Sequence, residues 1–108
     1  MSVVEKSLVS NAFQVFLRDA PQHAQAWGKL VQELAQASAL DSKTGELAYI
    51  AVLAALRLES GIPFHVRGAK QAGASREEVI SAILVGLPAA GHVVTQVLPA
   101  AMEAYDAE

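Results

Sequence analysis

Cysteine is absent from this 108-residue sequence. Its absence excludes disulfides, thiolate nucleophiles, cysteine-ligated zinc and iron–sulfur clusters. Basic residues are also few, with eight Lys and Arg against eleven Asp and Glu, and the net charge is −3. They are scattered rather than gathered into a stripe, so we expect no nucleic-acid partner. Glycine (7) and proline (4) are sparse, and no long stretch alternates with period two, which predicts an all-α fold.

The apolar run at residues 47–56 and the first ten residues do not have the features of a transmembrane helix or of a secretion signal. Residues 47–56 carry no charge, but a transmembrane helix needs about 20 apolar residues. The first ten residues lack a basic region followed by an apolar run, which is the pattern of a secretion signal. We therefore expect a cytoplasmic protein with no membrane partner.

The chain is apolar for its size. Its length predicts a single domain over residues 1–108, and a domain this small has one small core. Yet 53% of the residues are hydrophobic, and the mean hydropathy is +0.31. Such an excess indicates that other subunits cover part of the surface. We therefore predict a homo-oligomer.

Apolar spacing and helix-terminal residues predict six helices, at about residues 3–18, 21–37, 41–57, 60–72, 75–87 and 92–105. Asp41 and Ser75 suit the N-cap position, and Gly73 suits the left-handed position after a helix. Trp27 lies on the apolar stripe of the second helix and is expected in the core. The third helix is apolar on all sides, which predicts burial on all sides.

His65 and Glu46 are the candidate catalytic residues. His65 shares one face of the fourth helix with Ile62, Val66 and Ala69, so we expect it to point inward. Histidine is the usual proton carrier near neutral pH; the alternative is a core histidine bonded to a backbone carbonyl. Glu46, 19 positions earlier, is either a first-turn residue favoured by the helix dipole or a buried acid that needs a partner. If they pair, the carboxylate orients the imidazole.

Simple helix geometry supports this pairing only in part. In a flat hairpin, Glu46 lies roughly 16 Å from the turn and His65 roughly 8 Å from it, at 1.5 Å per residue. The offset of about 8 Å leaves three ways for the two side chains to meet. These are a crossing of the helices, a bridging water, and a contact between subunits.

Arg67 and His92 are the candidates for binding a substrate. Arg67 falls on the outer face of the fourth helix, so it needs cover from another subunit to take this role. His92 begins the last predicted helix, where an exposed or capping role is the alternative. His23 lies in the polar part of the second helix and is predicted at the surface. The three histidines lack metal-site spacing, so we expect no metal.

Three groups of residues together resemble the carboxymuconolactone decarboxylase family, which shares its helical fold with the alkylhydroperoxidase D (AhpD) proteins. They are residues 40–47 (LDSKTGEL), 65–69 (HVRGA) and 72–79 (AGASREEV). The resemblance covers about residues 40–91. It implies an AhpD-like bundle of about six helices with a central buried helical hairpin, assembled as a trimer or hexamer.

The two branches of this family imply different chemistry. The peroxidase branch carries a glutamate, a C-x-x-C pair and a histidine, and the matching positions here are Glu46, Leu58, Gly61 and His65. Without thiols, dithiol peroxidase activity is excluded for this chain acting alone. The decarboxylase branch also lacks these cysteines. It implies that an anionic lactone loses carbon dioxide without a cofactor, that His65 supplies the proton, and that Arg67 receives the substrate carboxylate.

The resemblance does not identify the substrate, because residues 89–93 (AAGHV) depart from the Tyr-x-Gly-x-Pro pattern frequent in decarboxylases. Three functions remain besides a thiol-based role in which a partner protein supplies the sulfur. The first is a decarboxylase-type enzyme acting on a small anionic lactone or carboxylic acid. The second is a related enzyme with different proton-transfer chemistry. The third is a non-catalytic oligomeric binding protein that has the fold without the thiols.

Overall fold

The computed structural model describes residues 8–107, and every regular element in that range is helical. Two short 3₁₀ segments, Glu59–Gly61 and Gly91–Val97, connect the α-helices. The α-helices, numbered in chain order, are α1 (Asn11–Asp19), α2 (Pro21–Ala37), α3 (Ser42–Leu56), α4 (Ile62–Gln71), α5 (Arg76–Leu84), α6 (Leu87–Ala90) and α7 (Leu98–Asp106). The predicted all-α class is therefore confirmed. The first predicted helix lies partly outside the described residues, at residues 3–7.

Side-chain caps begin three of the helices. Ser10, Asp41 and Ser75 each accept a hydrogen bond from the backbone N–H three residues on, which otherwise lacks a partner in the first turn. At α5 the cap is reciprocal, because the Glu78 side chain also accepts from the Ser75 backbone N–H at 2.8 Å. This reciprocal pair is a capping box, and it begins at the predicted N-cap residue Ser75.

Left-handed residues end both helices of the central hairpin. Gly73 follows α4 with φ +99°, and the N–H of Ala74 returns to the carbonyl of Ala69 at 2.9 Å. Arg57 follows α3 with φ +57° in the same hydrogen-bond pattern, a Schellman motif. Gly73 was predicted in this position. Arg57 was not, because an arginine gives no signal for positive φ.

The core lies where α3, α4, α5 and α7 meet the second 3₁₀ segment. Its largest fully buried side chains are Ile50, Ile62, Ile83, Val66, Val79, Val94 and Val97. They come from both helices of the α3–α4 hairpin and from the C-terminal third of the chain. The hairpin is thus central to the bundle, as the family resemblance implied.

Polar contacts attach α7 to the rest of this core. Lys70 donates to the carbonyl of Tyr105 at 2.7 Å and lies over its ring. The Tyr105 hydroxyl donates to the carbonyl of Ala74 at 2.8 Å. Arg76 and Asp106 form a two-bond ion pair with distances of 2.9 and 3.0 Å. These contacts fix the end of α7 against α4 and the start of α5.

The C-terminal third of the chain is divided into more and shorter helices than the sequence predicted. Length and composition would allow the stretch Arg76–Asp106 to cross a membrane, but α5, α6, the 3₁₀ segment and α7 divide it. Pro88 and Pro99 lie in the first turns of α6 and α7, where the missing N–H is tolerated. Gly91 turns the chain with φ +79°. The predicted helices 75–87 and 92–105 therefore end or begin at different residues.

Two burial predictions were wrong. Trp27 is 43% exposed; it contacts Phe13 and Phe16 across the α1–α2 hairpin rather than the core. Helix α3 buries only Ile50, Leu53 and Ala54. The apolar patterns identified faces that avoid water, but they did not specify which element covers those faces.

Candidate functional site

Glu46 and His65 meet directly within one chain. Nδ1 of His65 lies 3.1 Å from Oε2 of Glu46. The His65 side chain is 24% exposed and that of Glu46 is 30% exposed, so the pair lies at the edge of the core, open to solvent. A core histidine bonded only to backbone is therefore not what the structure has.

The connection between α3 and α4 explains why Glu46 and His65 are not separated by the offset of about 8 Å that a flat hairpin predicts. A side chain at Gly61 would begin 3.3 Å from Cδ1 of Leu53, so α4 begins beside Leu53 and not beside Arg57. The chain has already returned by about one helical turn, roughly 6 Å, before α4 starts. His65, one turn into α4, then lies beside the first half of α3, within reach of Glu46.

The contact defines the tautomer of a neutral His65. A carboxylate accepts hydrogen bonds and does not donate them, so the nitrogen facing Glu46 must carry a proton. That places N–H on Nδ1 and leaves the lone pair on Nε2. The arrangement can therefore accept and return a proton at Nε2.

Two aromatic rings hold the imidazole in place. Tyr49 stacks on His65, with ring centroids 4.2 Å apart and an angle of 29° between the ring planes. Phe64 meets it edge-on, with centroids 5.3 Å apart. Tyr49 was missed from the sequence, although it follows Glu46 by three positions and so shares a face of α3 with it.

Gly68 makes room for the carboxylate. It lies one turn after His65 on α4, and a Cβ added there would be 2.9 Å from Oε2 of Glu46 and 3.2 Å from its Cδ. Contacts this close are not tolerated, so any side chain at this position would displace the carboxylate. The sequence signal for this role is a glycine three positions after His65, inside a predicted helix where glycine is unfavourable.

The predicted substrate-binding residues lie apart from each other. The Arg67 guanidinium donates through Nη1 to the backbone carbonyls of Ala104 and Ala107 at the end of α7. His92 is exposed at the start of the second 3₁₀ segment, and its carbonyl accepts from the Thr95 hydroxyl at 2.8 Å. Their binding of a substrate remains a prediction. His23 is exposed, as predicted.

A separate concavity lies on a different side of α3. It is an open groove of about 560 Å³ between α3 and α5, with a mainly apolar lining. Glu46 and His65 are not among its lining residues, which are Lys43, Thr44, Leu47, Ala48, Ala51, Glu77, Glu78, Ser81, Ala82 and Val85. No histidine, the side chain that ordinarily changes charge near neutral pH, is among the residues that line this groove.

The positions that match the peroxidase cysteines lie in the turn between α3 and α4. Leu58 is exposed there, and Gly61 packs closely against the Leu53 side chain. Within residues 8–107, no group of three or more His, Asp or Glu residues is arranged to hold a metal ion.

Comparison with known proteins agrees with this architecture. The carboxymuconolactone decarboxylase family matches residues 21–104. A carboxymuconolactone decarboxylase family protein from Legionella pneumophila, solved in its apo form, superposes with a TM-score of 0.77 and 23% sequence identity. The match covers 97% of this chain and 96% of that one. At this identity the likeness shows the fold alone. No curated protein matches the sequence.

The chain is thus an all-helical protein with an AhpD-like fold and a Glu–His pair in its central hairpin. It belongs to the carboxymuconolactone decarboxylase family, as a member without cysteine.

Proposed function

We propose that this protein is a cofactor-free enzyme that performs acid–base chemistry on a small anionic lactone or carboxylic acid, with His65 as the proton carrier. The observation that carries the proposal is the 3.1 Å contact between His65 Nδ1 and Glu46 Oε2. A positioned histidine contributes roughly 10²- to 10⁴-fold to proton-transfer steps. Glu46 is a positioning residue, which holds the tautomer and stabilises the imidazolium.

In the decarboxylation that family membership suggests, the carbon–carbon bond to the substrate carboxylate breaks and carbon dioxide leaves. The bonding electron pair passes into the lactone system. Protonated His65 then donates its Nε2 proton to carbon, which leaves the neutral tautomer with N–H on Nδ1. Solvent returns the proton to Nε2 before the next turnover. Arg67 and His92 remain the proposed partners of the substrate's negative charge.

The test measures carbon dioxide release from a panel of small carboxylated lactones and their open-chain acids. We expect His65→Gln to lower turnover by about 10²- to 10⁴-fold and Glu46→Gln to lower it less, because the base itself remains. Glu103→Gln removes an exposed carboxylate on α7 and is the matched control, with turnover unchanged.

A second measurement follows the ¹⁵N and ¹H signals of the His65 ring during addition of the same panel. We expect at least one compound to shift these signals in the wild type and in Glu103→Gln. If no compound shifts them and none loses carbon dioxide, the enzyme proposal is wrong. The non-catalytic binding protein would then be the better interpretation, since the exposed apolar faces already favour association with other molecules.

A further inference from the structure

His65 has one ring nitrogen held by the protein and one left open. Nδ1 contacts Oε2 of Glu46 at 3.1 Å, and no group among residues 8–107 forms a hydrogen bond with Nε2. The His65 side chain is 24% exposed, so part of the ring is open to solvent. In the neutral tautomer that the Glu46 contact selects, Nε2 carries a lone pair. The ring is therefore equipped to act as a base as well as an acid.

The two protonation states of this ring suit substrates of different charge. The decarboxylation of an anion uses the protonated ring, whose positive charge is matched by the carboxylate of Glu46. When the ring is neutral, the pair carries only the negative charge of that carboxylate, which repels a second carboxylate brought close to it. A base reaction at Nε2 is therefore better matched to an uncharged substrate.

Two aromatic side chains border the imidazole and leave surface for a planar group. Tyr49 stacks on the ring with a centroid distance of 4.2 Å, and Phe64 meets it edge-on at 5.3 Å. These residues are 48% and 45% exposed, so each presents part of its ring to solvent beside His65. Aromatic rings bind further rings by offset-stacked or edge-on contacts. The surroundings of His65 therefore suit a substrate with a planar aryl group.

Water is the nucleophile that these surroundings provide for a base reaction. The chain has no cysteine, and within residues 8–107 the polar and aromatic contacts of the imidazole are with Glu46, Tyr49 and Phe64. None of the three is a serine or a threonine, whose hydroxyl a histidine base often activates. A water molecule beside Nε2 would instead lose its proton to the lone pair and attack a carbonyl carbon.

We propose that the Glu46–His65 pair also hydrolyses small uncharged aryl esters, with His65 as the general base that activates water. Glu46 positions the ring, and Tyr49 and Phe64 receive the aryl group. This activity goes beyond the decarboxylation proposed above and uses the opposite protonation state of His65. It depends on the geometry of the pair and not on carbon dioxide release, so separate assays decide the two proposals.

The reaction needs only the ester, water and one proton that moves through Nε2. The water oxygen forms a bond to the ester carbonyl carbon while its proton passes to Nε2, which gives a tetrahedral anion. The bond from this carbon to the aryl oxygen then breaks, and its electron pair leaves with that oxygen, which takes the proton back from Nε2. The products are a carboxylic acid and a phenol. Nδ1 keeps its proton throughout, because Glu46 accepts its hydrogen bond.

The first test follows the release of phenol from phenyl acetate by absorbance. A positioned histidine base contributes about 10²- to 10⁴-fold, so we expect His65→Gln to lower kcat/KM by at least the smaller factor while helical content is retained. His23→Gln removes an exposed histidine on α2 and is the matched control, with kcat/KM unchanged. An equal loss in His23→Gln would assign the hydrolysis to exposed histidines in general and would overturn the proposal.

Two variants of Glu46 test its role as a positioning residue. Glu46→Ala removes the group that accepts the hydrogen bond from Nδ1, so we expect a lower kcat for phenyl acetate. The KM should change little, because Glu46 does not contact the ester. Glu46→Gln restores an acceptor through its amide oxygen and should recover part of the lost kcat. A Glu46→Ala variant with the wild-type kcat would contradict the role of the pair.

Two further esters test the substrate class, with each rate divided by the rate of hydrolysis in free imidazole. On this scale para-acetoxybenzoate, which adds a carboxylate to the aryl group, should react more slowly than phenyl acetate. Hexafluoroisopropyl acetate, which has no aromatic ring, should have a higher KM, and Phe64→Leu should reduce the preference for the aryl ester. Equal relative values of kcat/KM for the three esters would show that the assigned substrate class is wrong.

Solvent isotope effects and mass spectrometry separate water activation from direct attack by the protein. With water as the nucleophile, kcat should fall in D₂O, because a proton moves in the slow step, and the chain should keep its mass of 11.4 kDa during turnover. A chain that carries an acetyl group on His65 or Tyr49 would overturn the general-base step. A wild type that is no faster than His65→Gln would overturn the whole proposal and leave the decarboxylation assay unaffected.

Discussion

Substitution of Gly68 by alanine should separate the stability of the protein from the geometry of its site. Gly68 lies inside α4, where alanine is more favourable than glycine by about 1 kcal/mol. Yet the new Cβ would be 2.9 Å from Oε2 of Glu46. The carboxylate is the end of a flexible side chain, so it will move and the helix backbone will stay.

The displacement is large enough to break the contact with His65. Oε2 must retreat by about 0.5 Å to reach an ordinary van der Waals separation from the new carbon. The 3.1 Å hydrogen bond would then lengthen to roughly 3.6 Å, beyond the useful range. Losing a partly exposed bond to a charged group costs about 1.5 kcal/mol. The gain in helix propensity offsets most of this, so the net change in stability should be within about 1 kcal/mol.

A double-mutant cycle followed by urea unfolding separates the loss of the hydrogen bond between Glu46 and His65 from the gain in helix propensity at position 68. In the Glu46→Ala background the carboxylate is absent, and Gly68→Ala should stabilise by about 1 kcal/mol. The difference between the two backgrounds should be about 1–2 kcal/mol. Gly45→Ala in α3 is the control, because a Cβ there meets nothing within 4 Å, so its effect should be the same in both backgrounds.

The ring ¹⁵N shifts of His65 provide the second readout. In the wild type the neutral ring should have its N–H on Nδ1, facing Glu46, and Gly68→Ala should increase the population with N–H on Nε2. If Gly68→Ala stabilises both backgrounds equally and leaves the tautomer unchanged, the assigned role of Gly68 in accommodating the carboxylate is incorrect.

Three further substitutions have expected outcomes that follow from single contacts. Arg57→Gly should raise the free energy of unfolding in urea by about 1 kcal/mol, because glycine adopts positive φ without the steric cost of a side chain; no gain would contradict this. Tyr105→Phe should lower it by about 1 kcal/mol, because the bond to the Ala74 carbonyl is lost, and an unchanged midpoint would show that water replaces it. The hydrogen bond from the Thr44 N–H lowers the pKa of the Asp41 carboxyl below its ordinary value of 3.8. The ionised cap therefore stabilises the folded protein above pH 3.8, and this stabilisation disappears as the pH falls through the pKa of Asp41 in the folded state. Asp41→Asn retains a cap but cannot ionise, so its melting temperature should fall less than that of the wild type between about pH 5 and pH 3. Equal falls in the two proteins would contradict this role of Asp41.

Local chemistry explains which parts of the fold the sequence could predict. Asp41, Ser75 and Gly73 act on backbone groups within a few residues, so their roles can be read from neighbouring positions alone. Positive φ at Arg57 has no such signal, because the αL conformation there results from the turn into α4 and not from the residue type. The breaks in the C-terminal third had a signal in Pro88 and Pro99, but which residue ends each helix depends on packing.

The candidate site required information that spacing does not contain. Glu46 and His65 were singled out by residue type and by family resemblance, but their contact depends on how the turn returns along α3 to Leu53. Burial of Trp27 was predicted from an apolar stripe, and such a stripe indicates only that a face avoids water. The surface that covers it can lie on the same chain or on another copy.

Two features conflict with what a single stable chain needs, and both lie next to His65. A glycine inside α4 costs about 1 kcal/mol relative to alanine, and here it leaves the space that Glu46 occupies. An apolar outer face on α3 costs solvation free energy, and it includes the tyrosine that stacks on the imidazole. Violations of local rules are expected where a sequence serves a site and not only its own folding. Both features therefore meet at the imidazole on which the proton-transfer proposal depends.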